Sequence, residues 1–319
     1  MTIHADLAIV GAGPTGLYGA FCAGFRGLST VLIDALPQVG GQIAALYPEK
    51  VVRDVAGLPG LTGRHLVDGL AVQADAFDTR YLLERQAVGL AYEAGRPQLT
   101  LSDGTVVDTG AVVLTAGIGS FTPRALPAGE AFLGRGLSYF VPDLSAHTGR
   151  DVIIVGGGDS AIDWANALVP LARSVTVVHR RARFRAHAAS VVEAERAGVA
   201  FRINCEVSEL LGGDWVEQVR LGGTEVLPAT SVIAALGFVS DLGPLAAWGL
   251  DLSGRTIRVD QRMHTSLTSV YAAGDVTDYP GKVRLMSVGF GEVATAVNNA
   301  AVELDPEASL FPGHSTDPA

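Results

Sequence analysis

The sequence predicts an α/β fold with two Rossmann-like dinucleotide-binding domains. Three observations predict it: two apolar strands each run into a glycine-rich triplet, each triplet opens an apolar helix, and another apolar strand follows each helix. With 319 residues, 48% hydrophobic and only 18% charged, the chain is long enough for two cores.

The first unit begins with "DLAIVGAGPTG", an apolar strand at residues 7–10 followed by Gly11, Gly13 and Gly16 in G-x-G-x-x-G spacing. Gly11 permits the turn, Gly13 lets a pyrophosphate approach the backbone, and Gly16 lets the helix lie close to the strand, with the helix N-terminus facing the phosphates. The strand "STVLID" then ends in Asp34, near the roughly 20-residue offset at which an acid meets a ribose hydroxyl. Residues 7–25 carry no charge and approach the roughly 20-residue length of a membrane helix. Gly11, Gly13, Pro14 and Gly16 break that run and no basic region precedes it, so neither a membrane span nor an export signal is expected.

The second unit repeats the pattern. "DVIIVGGGDSAIDWANAL" supplies a strand at 152–155, then Gly156, Gly158 and Ala161, then an apolar-periodic helix, and "SVTVVHRR" follows as its next strand. Where the first unit ends that strand in an acid, the second ends it in His179, Arg180 and Arg181. An acid accepts a hydrogen bond from a free 2′-hydroxyl, whereas arginines clasp a phosphate with paired donors. Arg180, Arg181 and Arg185 are therefore expected to hold the 2′-phosphate of NADP(H); Arg183, between them, suits a solvent-facing place equally well. A solvated basic helix start is the plain alternative. A nucleic-acid surface is not expected from a chain of net charge -10 and pI near 5.1.

A hydride donor must face an acceptor, so the first site is expected to hold FAD. "SVYAAGDVTDYPG" runs a short strand into Gly274 and Asp275, where the carboxylate can meet the ribityl chain and a helix after Gly289 can direct its positive end at the isoalloxazine. Cys22 and Cys205 form no C-x-x-C and no disulfide framework; they read as small buried hydrophobes in a reducing cytoplasm, and no metal site is expected.

"GAGPTGLYGAF", "GGGDSAIDWA", "VVHRRARFRAH" and "YAAGDVTDYPGKVRL" resemble the low-molecular-weight thioredoxin reductase group over essentially the whole chain. That resemblance implies an FAD-binding domain made of residues 1–118 and 242–319, with an NADP(H)-binding domain, 119–241, inserted between them. The group's C-x-x-C is missing: residues 140–143, "FVPD", stand in its place. "LPQVGGQIAALYPEKVVRDVAGLPG", "YPGKVRLMSVGFGEVATAVNNA" and "LFPGHST" resemble instead the thioredoxin-reductase-type ferredoxin:NADP reductases of bacteria. This second resemblance implies FAD contacts from Thr15, Asp34, Gln42, Tyr47, Ala87 (through backbone), Phe121, Asp275 and Thr316, with Tyr47 and His314 against opposite faces of the flavin. It also implies electron transfer between NADPH and ferredoxin or flavodoxin by a homodimer. Lys282 and Arg284 could dock an acidic partner or only solvate a surface. Three other readings fit the same nucleotide sites: a low-molecular-weight disulfide reductase, a quinone or oxygen reductase, and a non-enzymatic redox sensor.

Overall fold

The structure, a computed structural model, describes residues 1–313. The first apolar run forms β1 (Thr2–Val10), whose burial alternates at its start and becomes continuous at its end, as befits a strand entering a core covered on both faces. It feeds α1 (Pro14–Phe25), where Pro14 occupies the helix start at which its missing N–H costs nothing. The fully buried β2 (Thr30–Ile33), then α2 (Gly41–Leu46) and α3 (Gly63–Asp75), come next, and Thr62 caps α3 by accepting a hydrogen bond from His65 N. The strands β3 (Arg80–Leu82), β4 (Ala87–Glu93), β5 (Arg96–Leu101) and β6 (Val106–Leu114) lead to β7 (Ser120–Pro123).

The middle of the chain forms β8 (Leu137–Ser138), β9 (Asp151–Val155), α4 (Asp159–Leu168), β10 (Ser174–His179), α5 (Ala188–Arg196) and β11 (Ala200–Ile203). After it come β12 (Val207–Gly212), β13 (Val216–Leu221), β14 (Glu225–Pro228), β15 (Ser231–Ala234) and β16 (Phe238–Asp241). The last stretch adds β17 (Leu252–Ser253), β18 (Thr256–Arg258), β19 (Val270–Ala272), β20 (Thr277–Asp278) and α6 (Met286–Leu304).

These elements divide into two units. The first comprises Met1–Ala45, Val51–Phe121 and Ser240–Ala319; the second comprises Leu46–Lys50 and Thr122–Val239. The sequence reading assigns residues 46–50 to the first unit, and the structure groups them with the second. The two crossings, β7 and β16, pair as a two-stranded ribbon.

In the first unit the sheet runs β3-β2-β1-β6-β5-β4, with β19 also beside β6. β1 lies between β2 and β6, both parallel to it, so the chain leaves it in opposite directions; at such a switch point the carboxyl ends of the strands open a crevice for ligands. Register fixes what meets there. Val10 pairs with Ile33 and with Leu114, and Leu114 with Ala272, so Gly11, Asp34, Thr115 and Ala273 emerge along one edge, with Gly274 the next residue after Ala273. The second unit repeats this geometry in the all-parallel order β11-β10-β9-β15-β8, with Val155 opposite both Val178 and Ala234. Its sheet packs one apolar cluster including Ile154, Ile162 and Val177, and another including Ile153, Val178 and Val232. Fully burying each such side chain contributes about 1.5–3 kcal/mol.

Candidate functional site

At the first glycine loop the three glycines differ in what surrounds them. Gly11 has φ +113°, and a Cβ there would fall 2.5 Å from Thr115 O; a Cβ on Gly16 would fall 1.8 Å from Gly11 O. Both positions are closed by backbone, so only glycine fits. Around Gly13 nothing lies within 4 Å of an added Cβ, leaving the bare backbone approachable from outside. The start of α2 packs on the loop: Gly40 N donates to Ala12 O at 2.8 Å, and a Cβ on Gly117 would lie 3.2 Å from Gln42 Nε2.

Asp34 follows β2 and is tied into the same loop. Its carboxylate accepts from Ala12 N at 2.6 Å and from Leu36 N at 2.8 Å. Burial raises its pKa above the ordinary carboxylate value, and these backbone donors pull it back down. Two backbone bonds leave lone-pair capacity on a carboxylate for a further donor. Arg85 N donates to Asp34 O, which brings the segment leading to Ala87 beside it; Ala87 itself is a buried core residue at the start of β4.

The C-terminal part completes the first site. Thr15 Oγ1 sits 3.0 Å from where a Cβ on Gly274 would lie and 2.8 Å from where one on Gly289 would lie. The helix expected after Gly289 begins earlier, at Met286, and Gly289 is buried in its first turn. Glycine is required there by the close approach of Thr15, a need that imitates a helix-start signal in the sequence. Asp54 caps this helix: its Oδ2 accepts from Met286 N at 2.9 Å, and its backbone carbonyl accepts from Ser287 Oγ at 2.6 Å. Burial raises the Asp275 carboxyl, Lys282 and Arg284 lower it, and Glu292 and Asp54 raise it again.

Lys282 is no surface lysine. Its side chain is only 6% exposed and pairs with Glu292 at 2.5 Å. Neither Glu292 nor Asp54 stood out in the sequence, because a lone acid in an apolar helix or a glycine-rich loop carries no local signature.

The second glycine loop has the same division of labour. A Cβ on Gly156 would meet Ala235 O at 2.4 Å, whereas around Gly158 the nearest atom to an added Cβ is Arg185 Nη2 at 3.9 Å. The basic segment folds back over the loop. Arg185 N donates to Gly157 O at 2.7 Å, Phe184 stacks on the His179 ring at 5.2 Å, and a Cβ on Gly157 would fall 2.3 Å from His179 Cε1. The "GGG" run was the available signal for this third requirement. The His179 imidazole titrates below the ordinary histidine value through burial; the Arg183 carbonyl raises it, and the charges of Arg181, Arg185 and Arg180 lower it further. Arg180, Arg181 and Arg185 are exposed and make no ion pair among the described residues.

Tyr47 stands in the second unit, half-buried against the cluster containing Val141 and Ile162, with Lys50 Nζ 5.7 Å from its ring centroid. Phe121 lies on β7, but its side chain, like His314 and Thr316, lies outside the described residues. The tail before them has an anchor the sequence did not disclose: Arg26 Nη1 donates to Ser309 O at 2.8 Å and to Leu310 O at 3.5 Å.

Where a dithiol would stand, Phe140 stacks on Phe238 at 5.4 Å, Val141 is fully buried, and Asp143 accepts from Ser145 N. Cys22 is buried, and burial pushes its thiol up to about 11; Cys205 is half-buried rather than buried, and both are free. Among the described residues no group of His, Cys, Asp and Glu could hold a metal ion, and no helix is long and apolar enough to cross a membrane.

The model of the pyridine nucleotide-disulphide oxidoreductase family matches residues 5–300, a span holding both glycine loops. The chain belongs to that family. This oxidoreductase is 58% identical over 316 residues, 98% of each chain, to the "Ferredoxin--NADP reductase" of Salinispora arenicola. It is 57% identical over 317 residues to the protein of the same name from Saccharopolyspora erythraea, covering 98% of this chain and 97% of that one. Among solved structures it is similar to T. acidophilum thioredoxin reductase, with TM-score 0.81, 25% identity, and coverage of 94% of this chain and 98% of that one.

Proposed function

We propose that this chain is an FAD-dependent reductase that moves electrons between NADPH and a ferredoxin or flavodoxin, acting as a cytoplasmic homodimer. The observation that carries the reading is its similarity, along nearly the whole chain, to proteins named for that reaction. The residues fit the two nucleotides: backbone closes the first glycine loop at Gly11 and Gly16, backbone at Gly156 and the His179 ring at Gly157 close the second, and the Gly13 and Gly158 faces are left approachable. The first unit holds FAD, with Gly11, Gly13, Thr15, Gly16, Asp34, Gln42, Ala87, Phe121 and Asp275 around it; Tyr47, His314 and Thr316 are flavin contacts that the resemblance implies. The second holds NADP(H) through Gly156, Gly158, Ala161, Arg180, Arg181 and Arg185.

Bound FAD supplies the conversion between a two-electron hydride and single electrons. The chain's own part is binding and orientation. Asp34 takes a hydroxyl rather than a phosphate, the α1 N-terminus faces the pyrophosphate, and the arginines after β10 select the phosphorylated nucleotide. No acid or base is needed from the protein, and no thiol relay follows. The absence of a paired cysteine at residues 140–143 and the buried Cys22 support direct transfer to a one-electron carrier.

The test is anaerobic stopped-flow. NADPH should bleach the bound flavin, and mixing with oxidised ferredoxin should restore its colour while reducing the ferredoxin. Cys22→Ala combined with Cys205→Ser should leave both phases within about twofold, since no electron passes through a thiol in this reading and alanine at the buried Cys22 avoids placing a hydroxyl in the core. Flavin that NADPH reduces but ferredoxin does not reoxidise would defeat the acceptor assignment.

A further inference from the structure

Beneath the turn that presents Asp275 lies an ion pair shut away from water. The Lys282 and Glu292 side chains are 6% and 5% exposed, with Nζ 2.5 and 2.7 Å from the two carboxylate oxygens. Burying two charges carries a desolvation cost that their attraction often only balances, and apolar residues of similar volume frequently serve stability as well or better. The pair must then be understood by what its polar atoms hold.

Both charged groups converge on one residue. Gly274 N donates to Glu292 Oε2 at 2.7 Å, and Gly274 O accepts from Lys282 Nζ at 2.9 Å and from Thr277 Oγ1 at 2.8 Å. Tyr279 OH donates to the other Glu292 oxygen at 2.5 Å, which fixes the carboxylate plane. Gly274 has φ +83°, a conformation open to glycine, whose freedom must be removed if the next residue is to point one way. Thr15 Oγ1 closes its remaining side. With both peptide polar groups gripped by opposite charges, the chain direction into Asp275 is set before any ligand arrives.

We propose that Lys282 and Glu292 are positioning residues for flavin binding: by clamping the N–H and C=O of Gly274 they aim the Asp275 carboxylate at the ribityl chain. The proposal rests on the flavin assignment above, and the experiment separates the two. Lys282→Met with Glu292→Gln removes both charges and keeps an amide oxygen for the Gly274 N–H. Lys282→Met with Glu292→Leu removes every side-chain partner of that N–H at similar volume. Release of FAD from the holoprotein on dilution, followed by flavin fluorescence, gives Kd, and visible circular dichroism reports how the bound ring is held.

Both double variants should keep the far-ultraviolet dichroism of the parent. Kd should rise about tenfold or more for the Met–Leu variant and less for the Met–Gln variant, with the flavin band altered most in the former. Tyr279→Phe removes one bond and leaves the pair intact, so it covers the case in which the double variants do not fold; Kd should rise about twofold to fivefold. A folded Met–Leu variant with parental Kd and flavin band, or an unchanged Kd in Tyr279→Phe, would overturn the clamp. A parent protein that takes up no FAD would overturn the flavin assignment, and the clamp's role with it.

Discussion

Gly13 and Gly16 stand three residues apart in one motif and answer to different demands, which a methyl group can tell apart. At Gly16 the added carbon would lie 1.8 Å from Gly11 O, so Gly16→Ala must push α1 off β1. It should cost about 3 kcal/mol, visible as a lowered denaturant midpoint. At Gly13 the added carbon meets no protein atom, so Gly13→Ala should leave the midpoint nearly unchanged while weakening FAD binding at least about tenfold, because the methyl occupies the approach to the backbone. Equal effects on stability would refute this division. The arginines allow a similar separation. Arg180 and Arg181 are exposed, so replacing both with alanine should not destabilise the fold. KM for NADPH should rise about 10- to 100-fold, as expected from losing charge-assisted hydrogen bonds, with KM for NADH changing little. Parallel shifts in both values would remove the arginines from the phosphate site.

At the scale of elements, the cap on α6 comes from 232 positions away in sequence, through Asp54. Asp54→Ala should cost about 1 kcal/mol and lower Tm by about 2–4 °C, whereas Asp54→Asn, which keeps an acceptor oxygen, should recover most of the loss. An alanine variant with parental Tm would show that the contact contributes nothing. Such distant partners mark the limit of what the sequence discloses. β1 with α1, and β9 with α4, were legible because strand, glycine triplet and helix are contiguous and each glycine has a local reason to be one. The sequence suggests that α6 starts after Gly289, whereas it starts at Met286, since the residue that excludes a side chain at Gly289 is Thr15, far away in sequence. The sequence offers Lys282 two surface roles because nothing near it announces Glu292, ten residues on. Residues 46–50 adjoin the first unit in sequence yet group with the second, and no composition shift marks the change.

For the whole molecule, the ends of its helices carry a consequence of their own. Thr62 caps α3 and Asp54 caps α6, but α1 and α4 begin at Gly13 and Gly158, neither of which offers a side chain to the first amides. On the proposed reading a pyrophosphate satisfies those donors, so nucleotide binding would complete the secondary structure as well as the site. FAD at about a hundredfold over Kd adds about 2.7 kcal/mol to the folded state, and Tm of the flavin-loaded protein should exceed that of the stripped protein by about 5–10 °C. Hydrogen exchange should slow most in the first turn of α1, and equal protection there with and without FAD would contradict the argument. The cofactor is in this sense a late-arriving piece of the polypeptide's own framework. When riboflavin runs short, newly made chains spend longer partly open and within reach of proteases, so the cell's stock of the enzyme should follow its vitamin supply with no regulator of its synthesis.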